Sequence, residues 1–282
     1  MKVKYPKYLQ IETTILCNGN CTFCLQSEVD RDPKYMEDDV FRKIVDESRD
    51  CGIVYRPFLQ NEPFSDKRIV DFVKYIKEDK TAIVELNSNG ALLNEELSER
   101  IIVSGLDLIK FSVDGFSQES YKSSGRGFNY KKVMNNVLQF AEIRNKLKPG
   151  LKIYVRMIDL QENKNEQADF LKFWEQYVDF SQIVPLYSWP WTGQDGCVPK
   201  PCPKIREEIF FCTNGNAVLC CWDYAERGVI GNIKDQTIEE IWSGEKNRKY
   251  RELLNEGKRS EIHLCSKCDG YLNYDFSDWE GY

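Results

Sequence analysis

A chain of 282 residues, 41% apolar and 30% charged with the charges spread evenly, can bury one large core or a large and a small one, which excludes a lone small module or a disordered tail. The formal net charge of −6 argues against a surface built to neutralise phosphates, so no nucleic-acid partner is expected. Met1 to Pro6 carry no signal-peptide stretch and no window approaches the about 18 apolar residues of a membrane span, so a cytoplasmic protein with no membrane partner is expected.

Along the chain, apolar β-rich runs alternate with amphipathic stretches, the pattern of parallel strands joined by crossover helices. Strands are expected at 8–13, 53–59, 82–87, 108–112, 152–157 and 183–187, with helices at 39–50, 67–77, 95–103, 131–147 and 166–177. The fold class is therefore α/β, a partial (β/α)6 TIM-like barrel over residues 1–190. Beyond Trp189-Pro190-Trp191 and the 199–203 segment, both rich in turn formers, a small C-terminal domain is expected over 191–282. Its elements are a β-hairpin over 208–221, turning at Thr213-Asn214-Gly215-Asn216, and a helix over 237–256. Tyr187, Trp189 and Trp191 would stack on a ring or seal the junction. Tyr271, Tyr274, Phe276, Trp279 and Tyr282 are too many for an idle tail and are expected to pack over a cleft or an interface.

Eleven cysteines in a chain without secretory signals point to metal ligation or catalysis rather than to disulfides. The single histidine, His263, leaves little for a His base or a His-rich zinc site. Cys17, Cys21 and Cys24 follow the first strand at C-x3-C-x2-C spacing, on the strand-end edge where parallel α/β folds place their chemistry. Three thiolates can hold three irons of a cubane and leave the fourth open, unlike a four-cysteine electron-transfer cluster. A zinc knuckle would favour paired C-x2-4-C halves closing four ligands.

This spacing, with Phe23 before the last cysteine, resembles the signature of the radical S-adenosylmethionine (SAM) superfamily. The resemblance implies a SAM-binding [4Fe-4S] cluster whose open iron takes the amino and carboxylate groups of SAM, and reductive cleavage of SAM to a 5'-deoxyadenosyl radical. Gln60-Asn61-Glu62-Pro63 stands in the place of that family's Gly-Gly-Glu-Pro, with Glu62 accepting from the SAM ammonium; Gln-Asn for Gly-Gly leaves the backbone contacts open. Ser88-Asn89-Gly90 looks like the family's Thr/Ser-Asn-Gly. Ser112 and Asp114 look like its ribose-contacting Ser-x-Asp, and Arg156 is expected to reach the SAM carboxylate. Taken singly, Asn-Gly and Asp-Gly are also commonplace turns.

Cys202, Cys220, Cys265 and Cys268 supply four thiolates after the barrel, enough to close a cluster or, by the same arithmetic, a structural zinc site. Together with Gly231-Asn232-Ile233 and Ile238-Glu239-Glu240-Ile241-Trp242, they resemble the auxiliary-cluster domain of the SPASM/Twitch subgroup, with spacing similar to that of the butirosin-pathway aminocyclitol dehydrogenase. The resemblance implies one auxiliary [4Fe-4S] cluster. Of the remaining cysteines, Cys51 is expected in the core and Cys212 on the hairpin, and Cys197 is given no role. Cys221, beside a ligand, is the candidate catalytic hydrogen donor, although Cys-Cys pairs are common in such sequences.

The expected function is an oxidoreductase or epimerase. The radical abstracts a carbon-bound hydrogen from a small polar substrate, a sugar or an aminocyclitol, with dehydrogenation (electron to the auxiliary cluster) or epimerisation (hydrogen from a thiol) as the outcome. A first strand so near the N-terminus leaves no room for a leader-peptide domain, which favours the small molecule, with a short peptide as the alternative. An external one-electron reductant such as flavodoxin or ferredoxin is implied as a partner. A non-enzymatic iron-sulfur carrier or sensor would need a complete first quartet.

Overall fold

The computed structural model describes residues 5–186 and 202–268. Tyr187, Trp189, Trp191, Cys197 and the aromatic residues from Tyr271 to Tyr282 lie outside the described residues.

Among the described residues nine strands form one sheet: β1 (Tyr8–Ile11), β2 (Val54–Arg56), β3 (Ile83–Ser88), β4 (Leu108–Ser112), β5 (Lys152–Asp159), β6 (Phe180–Pro185), β7 (Glu208–Phe211), β8 (Asn216–Val218) and β9 (Val229–Asn232). The helices are α1 (Asp38–Glu47), α2 (Ile69–Ile76), α3 (Glu95–Val103), α4 (Gln118–Ser123), α5 (Tyr130–Leu147), α6 (Gln167–Trp174), α7 (Lys204–Glu207), α8 (Ile238–Ser243) and α9 (Glu245–Asn255). The strand order is β6-β5-β4-β3-β2-β1-β7-β8-β9. β1 through β6 pair in parallel, each with its sequence neighbour, as expected for a partial barrel.

The six barrel strands and their connecting helices fall where the sequence pattern puts them, with shifted ends. β6 begins at Phe180 instead of 183, because Phe180 pairs with Tyr154. The C-terminal helix is interrupted at Gly244, which is extended (φ −60°, ψ 155°) and serves as the N-cap of α9. The hairpin forms as β7 and β8, and β9 adds a third antiparallel strand.

β7 also pairs in parallel with β1, in the register Tyr8↔Glu208 to Ile11↔Phe211. The C-terminal hairpin is thus an extension of the barrel's sheet.

Strict alternation divides the two faces of this sheet. Leu9, Ile11, Tyr55, Val84, Leu86, Ile109, Phe111, Ile153, Val155, Ile209 and Phe211 join one hydrophobic core with the helices. Their alternates include Gln10, Arg56, Glu85, Lys110 and Glu208, all buried on the opposite, inner face. Replacing Phe211, fully buried in β7, by Ala is expected to lower the unfolding free energy by about 3 to 5 kcal/mol, measured by guanidinium denaturation of the metal-free protein.

Candidate iron-sulfur and cofactor site

The loop that follows β1 carries Cys17, Cys21 and Cys24. They line one small cavity with Gly19, Asn20 and Gln26. The loop is held by its own backbone and by neighbours. Cys24 N donates to Cys21 O at 3.1 Å, and Gln26 Nε2 to Ile15 O at 3.0 Å. The Gly19 amide donates to Cys17 Sγ at 3.4 Å.

Burial raises all three thiols above their usual range, Cys17 to about 11, and the charges of Glu62, Cys21 and Cys24 push Cys17 the same way. Protonated thiols crowded around a cavity are the metal-free form of a ligand set, since iron must displace those protons. Among the described residues no three Cys, His, Asp or Glu side chains converge to hold a single metal ion. A cubane places each cysteine on a different iron.

A second loop clasps this one. Thr22 N and Oγ1 both donate to Ser124 O, at 3.1 and 3.4 Å. Gly125 (φ +74°) packs so closely that an added Cβ would lie 2.6 Å from Thr22 Cγ2 and 2.9 Å from Thr22 N. The next residue, Arg126, is buried and ion-pairs with Asp114, its Nε donating at 2.8 Å. Its positive charge favours the thiolates of Cys21 and Cys24. Arg126 escaped the sequence reading; the Gly-Arg-Gly tripeptide, a cation between two residues of positive φ, was its only signal.

Glu62 caps the short 3-10 turn that begins at Pro63. Its carboxylate is 3% exposed and accepts from Phe64 N (3.2 Å), Ser88 Oγ (2.9 Å) and Asn89 N (2.8 Å). Burial outweighs these neutral donors and pushes Glu62 up to about 7. A buried carboxylate held only by neutral donors is chemically suited to a cationic ligand such as an ammonium group. Asn89 Nδ2 donates to Asn18 Oδ1 at 2.9 Å, tying this network to the cysteine loop. Asn61 Oδ1 accepts from Leu59 N at 2.8 Å, while its buried Nδ2 has no hydrogen-bond partner among the described residues.

Phe23 is half-buried in the cysteine loop. Arg156 Nε donates to Ser112 Oγ at 3.1 Å, at the strand-end edge between β4 and β5. Asp114 is fully buried and committed to Arg126 and to Ile158 N (2.9 Å). Gln60 donates from Nε2 to Cys221 O at 2.5 Å.

The second cysteine group brackets the hairpin. Cys202 precedes α7 and Cys220 follows β8, close enough for their charges to interact. An added Cβ on Gly228 would touch both Leu219 and Leu264, so the residues beside Cys220 and Cys265 are packed together. Cys268 N donates to Cys265 O at 3.3 Å, and Trp222 N to Cys220 Sγ at 3.5 Å. Cys221 shares a hydrogen bond with Cys220 that favours the thiolate of Cys221 and disfavours that of Cys220. It packs with Leu59 against Phe210, Cys212 and Val218 on the inner face. Cys51, expected in the core, is exposed: the chain turns outward after α1 through Asp50 (φ +59°) and Gly52 (φ +65°).

The radical SAM superfamily profile matches residues 11–173, more than half of the sequence. The chain belongs to this superfamily. Residues 202–269 match the SPASM iron-sulfur cluster-binding domain, a span holding all four C-terminal cysteines named above. The radical SAM and SPASM assignments bring with them SAM, the SAM-binding [4Fe-4S] cluster and an auxiliary iron-sulfur site.

The chain is 26% identical over 187 residues to a GTP 3',8-cyclase of Limosilactobacillus fermentum, a match covering 64% of this chain and 54% of the cyclase. It therefore spans about half the length of that relative. Among solved structures, BtrN in complex with AdoMet and 2-DOIA has a TM-score of 0.67 at 19% identity, covering 93% of this chain and 92% of BtrN. Streptococcus suis SuiB bound to its precursor peptide SuiA gives 0.72 at 14% identity, covering 95% and 72%. At these identities the likeness is one of fold.

Two outcomes test the site. Gly125→Ala is expected to destabilise the protein by about 1 to 3 kcal/mol and to lower iron uptake at the first site, read by thermal melting and iron analysis. For Glu62, a folded value raised from 4.5 to about 7 means that the native state holds the extra proton between those pH values, so its contribution to stability is full below about 4.5 and is lost as pH rises through 7. Unfolding free energy of the metal-free wild type should therefore fall across that window relative to Glu62→Gln, by up to about 3 kcal/mol, in denaturant titrations at several pH values.

Proposed function

We propose that this chain is a cytoplasmic radical SAM enzyme that abstracts a carbon-bound hydrogen from a small polar substrate, a sugar or an aminocyclitol, with oxidation or epimerisation of that carbon as the outcome. The observation that carries the substrate class is the charged inner face of the barrel. Gln10 Nε2 donates to Glu208 Oε2 at 3.0 Å, Arg56 Nε donates to Glu85 Oε2 at 2.8 Å, and the Arg56 guanidinium lies 4.0 Å from the Tyr8 ring centroid. Lys110 sits over Tyr154, 5.5 Å from its centroid. Parallel strands buried on both faces are ordinarily apolar on both. A face of alternating Glu and Arg or Lys suits a ligand bearing hydroxyls and amines, and burial relaxes from Lys110 and Glu85 to the half-exposed Asn87, Ser112 and Arg156, opening towards the cysteine loop.

When bound, a first cluster with SAM would supply the 5'-deoxyadenosyl radical and an auxiliary cluster would supply an electron sink. In this reading Cys17, Cys21 and Cys24 hold the first cluster, and Cys202, Cys220, Cys265 and Cys268 the second. Glu62 accepts from the SAM ammonium; Ser88 and Asn89 fix its carboxylate. Ser112 and Arg156 face the rest of the cofactor, and Asp114 acts by holding Arg126 under the cysteine loop. Cys221 is the candidate thiol for returning a hydrogen atom. Residues 1–190 form the radical-generating unit and 191–282 the auxiliary unit, and a flavodoxin or ferredoxin supplies single electrons. BtrN, solved with AdoMet and 2-DOIA, covers this fold almost end to end, which supports the small-molecule reading. SuiB, solved with a precursor peptide, keeps a peptide substrate as the second reading.

The anaerobically reconstituted protein is expected to carry about eight irons per chain and, with SAM and dithionite, to release 5'-deoxyadenosine. Cys17→Ala should abolish that release, and Cys268→Ala should remove about half of the iron. A wild type that yields no 5'-deoxyadenosine would sink the proposal. Once a substrate is found, deuterium from solvent at the product carbon, lost in Cys221→Ala, marks epimerisation; a carbonyl product without it marks oxidation.

A further inference from the structure

Gln60 departs from the glycine of the motif that its segment resembles, and its side chain spans from the SAM-site turn to the C-terminal hairpin. Its amide Nε2 donates to Cys221 O, a residue 161 positions further along the chain. On the other side of the same turn, Glu62 N donates to Leu16 O at 3.1 Å, immediately before Cys17. An unbroken route of chain bonds and two hydrogen bonds thus runs from Cys17 through Leu16, Glu62, Asn61 and Gln60 to Cys221 and Cys220. The aim of Gln60 is itself fixed. Asn61 Oδ1 accepts from Leu59 N at 2.8 Å, and Leu59 packs beside Cys221 against Phe210, Cys212 and Val218.

We propose that Gln60 is a positioning residue that holds the Cys221–Trp222 peptide against the SAM-site turn and thereby sets the reduction potential of the auxiliary cluster. The inference rests on the iron-sulfur reading of Cys202, Cys220, Cys265 and Cys268. The Cys221 carbonyl is the negative end of a peptide dipole one residue from a cluster ligand. An N–H donated to that oxygen offsets part of its field, which favours the reduced, more negative cluster. Hydrogen bonds and dipoles around the ligands are among the levers by which proteins tune such potentials.

The test uses the full chain, reconstituted anaerobically, with Gln60→Gly and Gln60→Glu. Glycine is the residue of the related motif, so the first variant keeps the turn and removes the donor. The second puts a carboxylate against the carbonyl. In EPR-monitored redox titrations both variants are expected to retain wild-type iron and the first cluster's signal, while the auxiliary cluster's midpoint falls, further in Gln60→Glu. Loss of one net hydrogen bond corresponds to about a fivefold change in the oxidised-to-reduced ratio at fixed potential. An auxiliary midpoint and signal unchanged in both variants overturns the proposal. So does a variant in which only the SAM-induced change in the first cluster's signal is lost, because Gln60 would then be a cofactor contact. A wild type with about four irons per chain removes the auxiliary cluster itself, an outcome read before any variant is made.

Discussion

The parallel pairing of β1 with both β2 and β7 is the constraint on which the rest of the molecule depends. β1 delivers the cysteine loop at its C-terminal end, and β7 delivers the hairpin that ends at Cys220. Since both hang from one hydrogen-bonded ladder, the two iron-sulfur sites are placed by strand register. A buried charge cluster locks the seam: Arg31, from the stretch after the cysteines, bonds both carboxylate oxygens of Glu12 at 2.9 and 2.8 Å, and Glu226 Oε1 at 2.7 Å. Asn214 and Asn216 of the hairpin also donate to Glu226. Buried charges of this kind contribute little as pairs, but removing one partner leaves another stranded at a cost of several kcal/mol. The cluster therefore acts as a registry device between the two halves of the chain.

The same logic governs the inner face. Arg56, Glu85, Glu208 and Gln10 are nearly inaccessible to water, and their placement is tolerable because each is paired. A barrel meant only to be stable would fill that space with aliphatic side chains. Here the larger apolar cluster lies on the helix-facing side, a smaller one around Phe210, Cys212 and Val218 lies on the inner side, and the rest of the inner face keeps polar groups.

Much of this was legible beforehand. The six strands, their helices and the hairpin follow from periodicity and from the Asn-Gly turn, and the C-x3-C-x2-C spacing singles out the three cysteines that line one cavity. What escaped has identifiable causes. β9 is a short strand whose ladder partner β8 alone reveals it. The break at Gly244 needs no proline and hides inside an otherwise helical pattern. The polar alternates at Gln10, Arg56, Glu85 and Lys110 are visible in the sequence, but a parallel strand is expected to be apolar on both faces, so their common inner face emerges only from the paired strands. Gln60 and Asp114 were legible as motif positions but not as contacts. Which partner a side chain meets across 161 residues, or in the turn that brings Arg126 under the cysteines, is a property of the folded chain.

The long span of the β1–β7 seam has a further consequence for the order in which the molecule is completed. Gln10 and Glu208 meet across 198 residues of sequence. During synthesis the strand that bears the cysteine triad keeps one bare edge until the last third of the chain emerges. Contacts so distant close late. The nascent barrel thus exposes its metal-binding loop beside an unpaired strand edge, a template for stray pairing until β7 arrives. Its own C-terminal segment is the cover for that edge, so the auxiliary unit also serves the barrel as the piece that finishes its sheet.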